Sequence, residues 1–192
     1  MAGTELHRRI ELHQRGQVPF EQFSEDLYDV PDEAAGDGGF NAFRDSRFAE
    51  RRAALVEAPF ELLAGDGYRV RGRIDAVYVD GRHWEVVDFK SGRPSTDPSR
   101  IVQLQSYAMA ATDIDFGHPA PEELDATFAY LGGGLVEDTY RADAAWIEEA
   151  RSDITTLIKS IDDKVFIETP GDWCHTCDFL RFCGPGKAWL AE

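Results

Sequence analysis

The chain has 192 residues, of which 43% are hydrophobic, and its 36 acidic and 20 basic side chains give a formal net charge of −16. This length and apolar content suffice for one domain with a sizeable core, and they exclude a disordered chain. No apolar run approaches the roughly 20 residues of a membrane helix, and no signal peptide is recognisable, so we expect a cytoplasmic protein with no membrane partner. Such an acidic chain also repels the DNA backbone at long range.

The N-terminal part is predicted to be mainly helical. Apolar spacing and end signals predict a short helix over 4–15, with Thr4 as its N-cap and Gly16 as its stop. An acidic, glycine-rich stretch within 17–39 predicts a loop. Helical spacing then resumes and predicts a second helix over 40–55.

From residue 58 the pattern changes to strands. Alternation of apolar and polar residues predicts strands over 59–64 and 68–79, and a nearly continuous apolar run predicts a third strand over 83–90. Turn signals at 65–67 and 80–81 join these three strands as consecutive hairpins.

The remaining predicted elements are, in order, a loop over 91–99, a helix over 100–112, strands over 126–131 and 136–140, and an amphipathic helix over 144–161. We detect no internal repeat and no domain linker. This order of elements predicts a mixed α/β domain around one central sheet.

Two aspartates and a lysine lie on the second predicted hairpin. Asp88 and Lys90 share one strand face, and Asp75 can lie opposite Asp88 on the neighbouring strand. Two adjacent carboxylates repel each other unless a cation lies between them, and oxygen ligands suit Mg²⁺ or Mn²⁺. An isolated Asp-x-Lys is usually a surface ion pair. Here the neighbouring strand residues are apolar, which favours a functional site.

Two further pairs have helical spacing. Gln103 and Tyr107 lie four residues apart on one face of a predicted helix, where both can point at a shared substrate. His7 and Glu11 have the same spacing on the first helix. Without the other motifs, a packed tyrosine with a glutamine at its edge and an exposed helix histidine would be the preferred explanations, and the Asp-x-Lys strand reverses that preference.

Three cysteines, Cys174, Cys177 and Cys183, lie within ten positions of one another near the C-terminus. An odd, clustered set cannot form a disulfide framework, and thiols at this spacing suit a soft metal or an iron–sulfur cluster. The alternative is three reduced thiols packed among aromatic neighbours.

Four segments, in this order, resemble the motifs of the RecB-like branch of the PD-(D/E)XK nuclease superfamily: Gly3-Thr-Glu-Leu-His7-Arg-Arg-Ile-Glu11, Gly72-Arg-Ile-Asp75, Asp88-Phe-Lys90-Ser-Gly92 and Gln103-Leu-Gln-Ser-Tyr107. With the cysteines, the resemblance spans residues 7–183. It implies a restriction-endonuclease-like core, a central mixed β-sheet flanked by helices. It also implies one nuclease domain with an N-terminal helical part (1–57), a catalytic core (58–165) and a cysteine-cluster segment (166–192).

The resemblance assigns a role to each motif residue. The metal ligands would be His7, Asp75, Asp88 and the backbone carbonyl of Phe89, and the cation would be Mg²⁺ or Mn²⁺. Lys90 would be the catalytic lysine. Gln103 and Tyr107 would face the active site and the DNA, and the phosphate contacts would come from nearby arginines: Arg71, Arg73 or Arg100.

The cysteines would bind a [4Fe–4S] cluster, for which the family supplies a fourth cysteine upstream of the helical histidine. No cysteine precedes His7 in this sequence. We therefore expect the cluster to be absent or labile, unless a longer natural chain, His175 or zinc completes the site.

The function expected from this resemblance is metal-dependent hydrolysis of DNA, by a chain that is the C-terminal nuclease domain of a DNA-repair helicase–nuclease. Its partners would be DNA and a helicase domain or subunit. Two alternatives stay open: a stand-alone exonuclease of the CRISPR-adaptation type, and a non-catalytic structural DNA-binding module of the same fold. The intact set of His7, Asp75, Asp88 and Lys90 argues against the last.

Overall fold

A five-stranded sheet in the order β1-β2-β3-β4-β5 forms the centre of the fold. The computed structural model describes residues 2–17, 38–64, 67–94, 98–164 and 167–191. Its strands are β1 (Leu55–Ala64), β2 (Tyr68–Asp80), β3 (His83–Lys90), β4 (Glu123–Tyr130) and β5 (Val136–Arg141). Neighbouring strands are antiparallel except β3 and β4, which run parallel. The predicted hairpins and the mixed sheet are confirmed.

The helices are α1 (Ala2–Gln14), α2 (Gly38–Arg44), α3 (Arg47–Glu50), α4 (Ile101–Asp113), α5 (Ala144–Asp162) and α6 (Gly184–Leu190). α4 is the crossover that parallel pairing of β3 and β4 requires. α1, α4 and α5 confirm three predicted helices to within two residues at each end. Because α1 begins at Ala2, Thr4 lies inside the helix, and its prediction as the N-cap is wrong.

The end of α1 confirms the predicted stop at Gly16. This glycine has a φ of +62°, its N–H donates to the His13 carbonyl at 3.0 Å, and the Gln17 N–H donates to the Leu12 carbonyl at 3.1 Å. The two bonds form a Schellman motif. Most of the loop predicted over 17–39 lies outside the described residues, and its last two residues begin α2.

The single helix predicted over 40–55 is wrong, because this stretch forms α2, α3 and the first residue of β1. Ser46 separates the two helices: its hydroxyl donates to the Phe43 carbonyl at 2.5 Å and accepts the Phe48 N–H at 3.2 Å, which caps α3. Ala54 already donates its N–H to a carbonyl of β2 at 2.8 Å. Local capping and sheet pairing therefore override the helical spacing of the apolar residues.

Helices cover both faces of the sheet. On one face, α1–α3 and the central strands bury a common apolar cluster that includes Leu6, Ile10, Phe40, Phe43, Phe48, Tyr78, Val87 and Phe89. On the other face α4 packs on the sheet, and the Tyr107 ring meets Phe60 of β1 edge-on with 6.0 Å between centroids.

A buried glutamine joins α1 to this core. The Gln14 side chain donates to the Phe48 carbonyl at 2.6 Å and to the Tyr78 hydroxyl at 2.8 Å, and it accepts the Ala53 N–H at 2.9 Å. All three bonds connect α1 to segments distant in sequence, so they fix the helix that carries His7.

Two glycines allow close approaches that no side chain would permit. A Cβ at Gly72 would lie 2.5 Å from the ring of Phe60, its partner across β1 and β2. A Cβ at Gly132, just after β4, would lie 2.5 Å from the Ser91 carbonyl oxygen, just after β3. The backbone at Gly132 thus packs directly against the segment that follows Lys90, and a side chain at position 132 would prevent this contact.

The chain forms two compact units, residues 1–155 and 156–192. The sheet, α1–α4 and most of α5 belong to the first unit, and the cysteine segment belongs to the second. Among the described helices, none is both long and apolar enough to cross a membrane.

Candidate active site

Three side chains of types that bind metal ions lie close together, one each from α1, β1 and β2. One ligand atom each of His7, Glu57 and Asp75 lies within 4.8 Å of the other two. His7 Nδ1 lies 3.6 Å from Asp75 Oδ2, which also accepts the backbone N–H of Phe89 at 2.9 Å. The structure therefore brings together the predicted His7 and Asp75, with a carboxylate that was not predicted from the sequence.

α1 positions His7 at the site because one face of the helix is buried in the core and the other is not. Leu6 and Ile10 are buried in the core, whereas the His7 side chain is 32% exposed and faces Asp75. The start of the helix lies close to the end of β3, since a Cβ at Gly3 would lie 3.3 Å from the Ser91 hydroxyl.

Glu57 has an unusual backbone for a strand residue. Its φ is +50°, and it interrupts the β1–β2 pairing between the pairs Val56–Ala76 and Ala58–Ile74. A non-glycine residue in this region is strained, and such strain concentrates at functional sites. The predicted strand begins only at residue 59, after Glu57. The signal that could have found this residue is an acidic side chain within the apolar run Leu55–Phe60.

Asp88 is a buried carboxylate with incomplete partners. Its side chain is 1% exposed, and Lys90 Nζ lies 2.8 Å from its Oδ2. Apart from Lys90 and the nearby Tyr107 hydroxyl, neither Asp88 oxygen has a hydrogen-bond partner in the described part of the chain. Buried carboxylate oxygens rarely stay unbonded, so these two suit a further cation. Asp88 lies outside the group formed by His7, Glu57 and Asp75 but lines the same cavity as His7 and Glu57.

The negative charges of Asp75 and Asp88 are unfavourable where these two side chains lie. Burial, followed by the charge of Asp88, raises the pKa of Asp75 to about 7, although His7 opposes the shift. Burial also raises the pKa of Asp88, against the opposing effect of Lys90. Both carboxylates would be stabilised as anions by a bound cation, which fits a site for Mg²⁺ or Mn²⁺.

A chain of polar contacts runs from Lys90 into α4. Lys90 Nζ donates to Gln103 Oε1 at 2.5 Å, and Gln103 Nε2 donates to the Tyr107 hydroxyl at 3.0 Å. Tyr107 is only 4% exposed, and burial followed by the charges of Asp75 and Asp88 raises its pKa. Gln103 therefore lies between the lysine and a neutral phenol.

A cavity of about 620 Å³ opens beside these groups, and charges of both signs line it, with Glu11, Glu57 and Asp88 as its carboxylates. Arg8 and Arg73 line it together with Lys90, and Arg8 was not predicted from the sequence. Of the other predicted arginines, Arg71 is exposed on β2, and Arg100 lies near Tyr130.

The cysteine segment forms its own arrangement in the second unit. Cys174 is buried, Cys183 half-buried and Cys177 exposed. Cys183 Sγ accepts the Gly186 N–H at 3.3 Å, and a Cβ at Gly186 would lie 3.2 Å from Cys183 Sγ and 3.4 Å from Cys174 Sγ. Two of the three sulfurs thus face one point over a glycine.

The sequence profile of the family described as PD-(D/E)XK nuclease superfamily matches residues 3–184. None of the curated proteins matches this chain. Among solved structures, SSO0001 is similar with a TM-score of 0.43 and 20% identity, over 67% of this chain and 58% of that one. A protein from Eubacterium rectale, described as a "Putative exonuclease", is similar with a TM-score of 0.49 and 13% identity, over 95% of this chain and 74% of that one.

Proposed function

The chain belongs to the PD-(D/E)XK nuclease superfamily, and we propose that it hydrolyses DNA phosphodiester bonds with a divalent metal ion held beside the β2–β3 hairpin. One observation carries this proposal. The Asp88 carboxylate is buried, lies 2.8 Å from Lys90 Nζ and lines the cavity that His7 and Glu57 also line.

The proposed ligands are His7, Glu57, Asp75 and Asp88, with the backbone carbonyl of Phe89 that the family resemblance implies. An imidazole and three carboxylates suit Mn²⁺ or Mg²⁺ in charge and in donor type. A cation held by these residues would lower the pKa of a water molecule and would neutralise charge on the phosphate. The Phe89 N–H donates to Asp75 Oδ2 and so holds this carboxylate in place.

Lys90 is the proposed electrostatic catalyst. Its ammonium group is paired with Asp88 and directed by Gln103, so it is fixed beside the place where a phosphate would gain negative charge. Tyr107 is too buried to be a main contact for DNA, and we assign it the role of orienting Gln103. Arg8 and Arg73 would contact phosphates at the rim of the cavity.

The test is digestion of DNA labelled at either end, single- or double-stranded, linear or circular, with Mn²⁺ and with EDTA. Wild type should cleave only with metal, and K90M and D88N should lose cleavage by at least about 100-fold while keeping their thermal stability. D113N is the matched control, because Asp113 pairs with Arg151 at the far end of α4 from Gln103. Cleavage by K90M at the wild-type rate would overturn the site.

The large negative charge supports a second, finer proposal, that a helicase domain or subunit delivers the DNA. A chain of net charge −16 gains little from long-range attraction to DNA, so a motor that feeds the strand would compensate. Addition of a helicase that binds this chain should raise the cleavage rate at physiological salt. An unchanged rate with a helicase that binds the chain would contradict this proposal.

For the second unit we propose a metal–thiolate centre on Cys174, Cys177 and Cys183. The convergence of two sulfurs over Gly186 supports it, because any larger residue at that position would fill the space between them. Anaerobic reconstitution with iron and sulfide should give broad visible absorbance, and reconstitution with zinc alone tests the other metal. A C174S/C183S variant that keeps the same metal content would exclude the centre.

A further inference from the structure

Three arginines form a single row on the β1–β2 hairpin. Arg69, Arg71 and Arg73 alternate along β2, so their side chains lie on one face of the hairpin. Their exposed fractions are 56%, 71% and 64%. On β1, Leu62 and Ala64 are buried, and Phe60 packs against α4. The hairpin therefore has one face against the protein and one basic face toward solvent.

The row ends in the cavity of the candidate active site. Arg73 lines that cavity and lies 3.4 Å from Glu57. From Arg73 to Arg69 the strand covers four residues, about 13 Å at the usual rise per residue. A chain that contacts all three guanidinium groups would thus have one end at the proposed metal ligands.

The charges on this face leave a positive excess. Glu61 on β1 takes hydrogen bonds from both Arg69 and Arg71, and Glu57 pairs with Arg73. Three guanidinium groups therefore face two carboxylates, in a chain whose net charge is −16. A guanidinium group can bind a phosphate through two parallel hydrogen bonds, and the exposed Glu61 is a carboxylate that a phosphate can replace.

We propose that this arginine row binds the phosphate backbone of one DNA strand and guides it into the cavity, an inference that rests on the proposed nuclease function. The row is one guanidinium wide, so it contacts one strand. Glu61 keeps Arg69 and Arg71 aligned until the strand replaces it, and Arg73 makes the contact nearest the cavity.

The experiment measures the affinity of fluorescein-labelled oligodeoxythymidine for the whole chain with Ca²⁺, over a series of salt concentrations. Arg69 and Arg71 lie outside the catalytic machinery, so R69Q/R71Q is the informative variant. It should weaken binding about tenfold at low salt and lower the slope of log K against log salt by about 1.4, or about 0.7 for each phosphate that the variant no longer binds. The matched control is R82Q/R141Q, which removes two exposed arginines paired with Glu122 and Glu123.

Two further measurements separate a DNA contact from a structural role. E61Q should bind the oligonucleotide more tightly than wild type, because it frees both arginines, whereas loss of a merely structural ion pair would not raise affinity. Lengthening the oligonucleotide by about three nucleotides beyond the shortest one bound should raise the affinity of wild type but not of R69Q/R71Q. If R69Q/R71Q and wild type gave equal slopes of log K against log salt, and E61Q gained no affinity, the proposed role of the arginine row would be wrong even if wild type cleaves DNA. A wild type that neither binds nor cleaves DNA would instead overturn the proposed function.

Discussion

At the scale of single residues, Asp75 determines how stability should depend on pH. Its pKa is about 7 in the folded chain and about 4 in an unfolded one, so the folded state holds the proton more tightly. Stability is therefore lost as pH rises from about 4 through 7 in metal-free protein, by on the order of 2 to 4 kcal/mol.

D75N should remove this loss, because the amide cannot ionise. In EDTA its Tm should exceed that of wild type by several degrees at about pH 8 and by less at about pH 5. Thermal denaturation at the two pH values checks the prediction, with D113N as a carboxylate control in an exposed pair. A D75N variant that is less stable than wild type at both pH values would contradict it.

Glu57 should strengthen metal binding while it lowers the stability of the metal-free fold. Glycine adopts its positive φ without strain, so E57G should raise Tm in EDTA by about 2–4 °C, equivalent to about 1 kcal/mol. The same variant should lose much of the Tm increase that Mn²⁺ gives to wild type, because one carboxylate is missing. E57Q keeps the strain and should lose only the Mn²⁺ effect. If E57G gained as much from Mn²⁺ as wild type does, Glu57 would not be a ligand.

At the scale of elements, an ion-pair network around one buried carboxylate ties α3 to the sheet. Glu85 of β3 is 6% exposed, accepts hydrogen bonds from Arg47 and Arg51 at 2.5–2.8 Å and accepts the Thr127 hydroxyl at 2.9 Å. Burial works to raise its pKa, but the hydrogen bonds from the two arginines outweigh it and the pKa is lowered.

E85Q should therefore destabilise the fold by about 2–4 kcal/mol, because two guanidinium groups lose their shared anion. Urea denaturation measures this, and E123Q, which removes an exposed ion pair with Arg141, should cost much less stability than E85Q. Equal losses for the two variants would show that burial does not strengthen the network.

The elements also show what could be predicted from the sequence. Two-residue alternation and glycine turns predicted the hairpins, and the hairpin around Gly81 predicted that Asp75 and Asp88 lie on adjacent strands. Helical spacing failed at 40–55, because a single capping hydroxyl at Ser46 decides where α3 begins. The hydrogen bond from Lys90 to Gln103 depends on how the crossover helix α4 lies on the sheet. Neither strand alternation nor helical spacing gives this information.

At the scale of the whole molecule, the two compact units should respond separately to loss of the cysteines. If the thiols hold a metal, C174S/C183S should speed hydrogen exchange in residues 167–191, because metal binding contributes several kcal/mol to the folding of its segment. Exchange in the sheet should change little. Hydrogen exchange followed by mass spectrometry distinguishes the two regions, and equal exchange in metal-loaded wild type and the variant would contradict the prediction.

The contact between Gly72 and Phe60 has a consequence for how this sequence can evolve. No side chain fits at Gly72 while the Phe60 ring lies across it, and the same ring meets Tyr107. A substitution at Gly72 is therefore tolerable only with, or after, a smaller residue at Phe60, and the space left beside Tyr107 then has to be refilled. A substitution in β2 would thus affect α4, the helix whose Gln103 hydrogen-bonds to Lys90. Among homologues, a residue other than glycine at position 72 should therefore occur only with a residue smaller than phenylalanine at position 60.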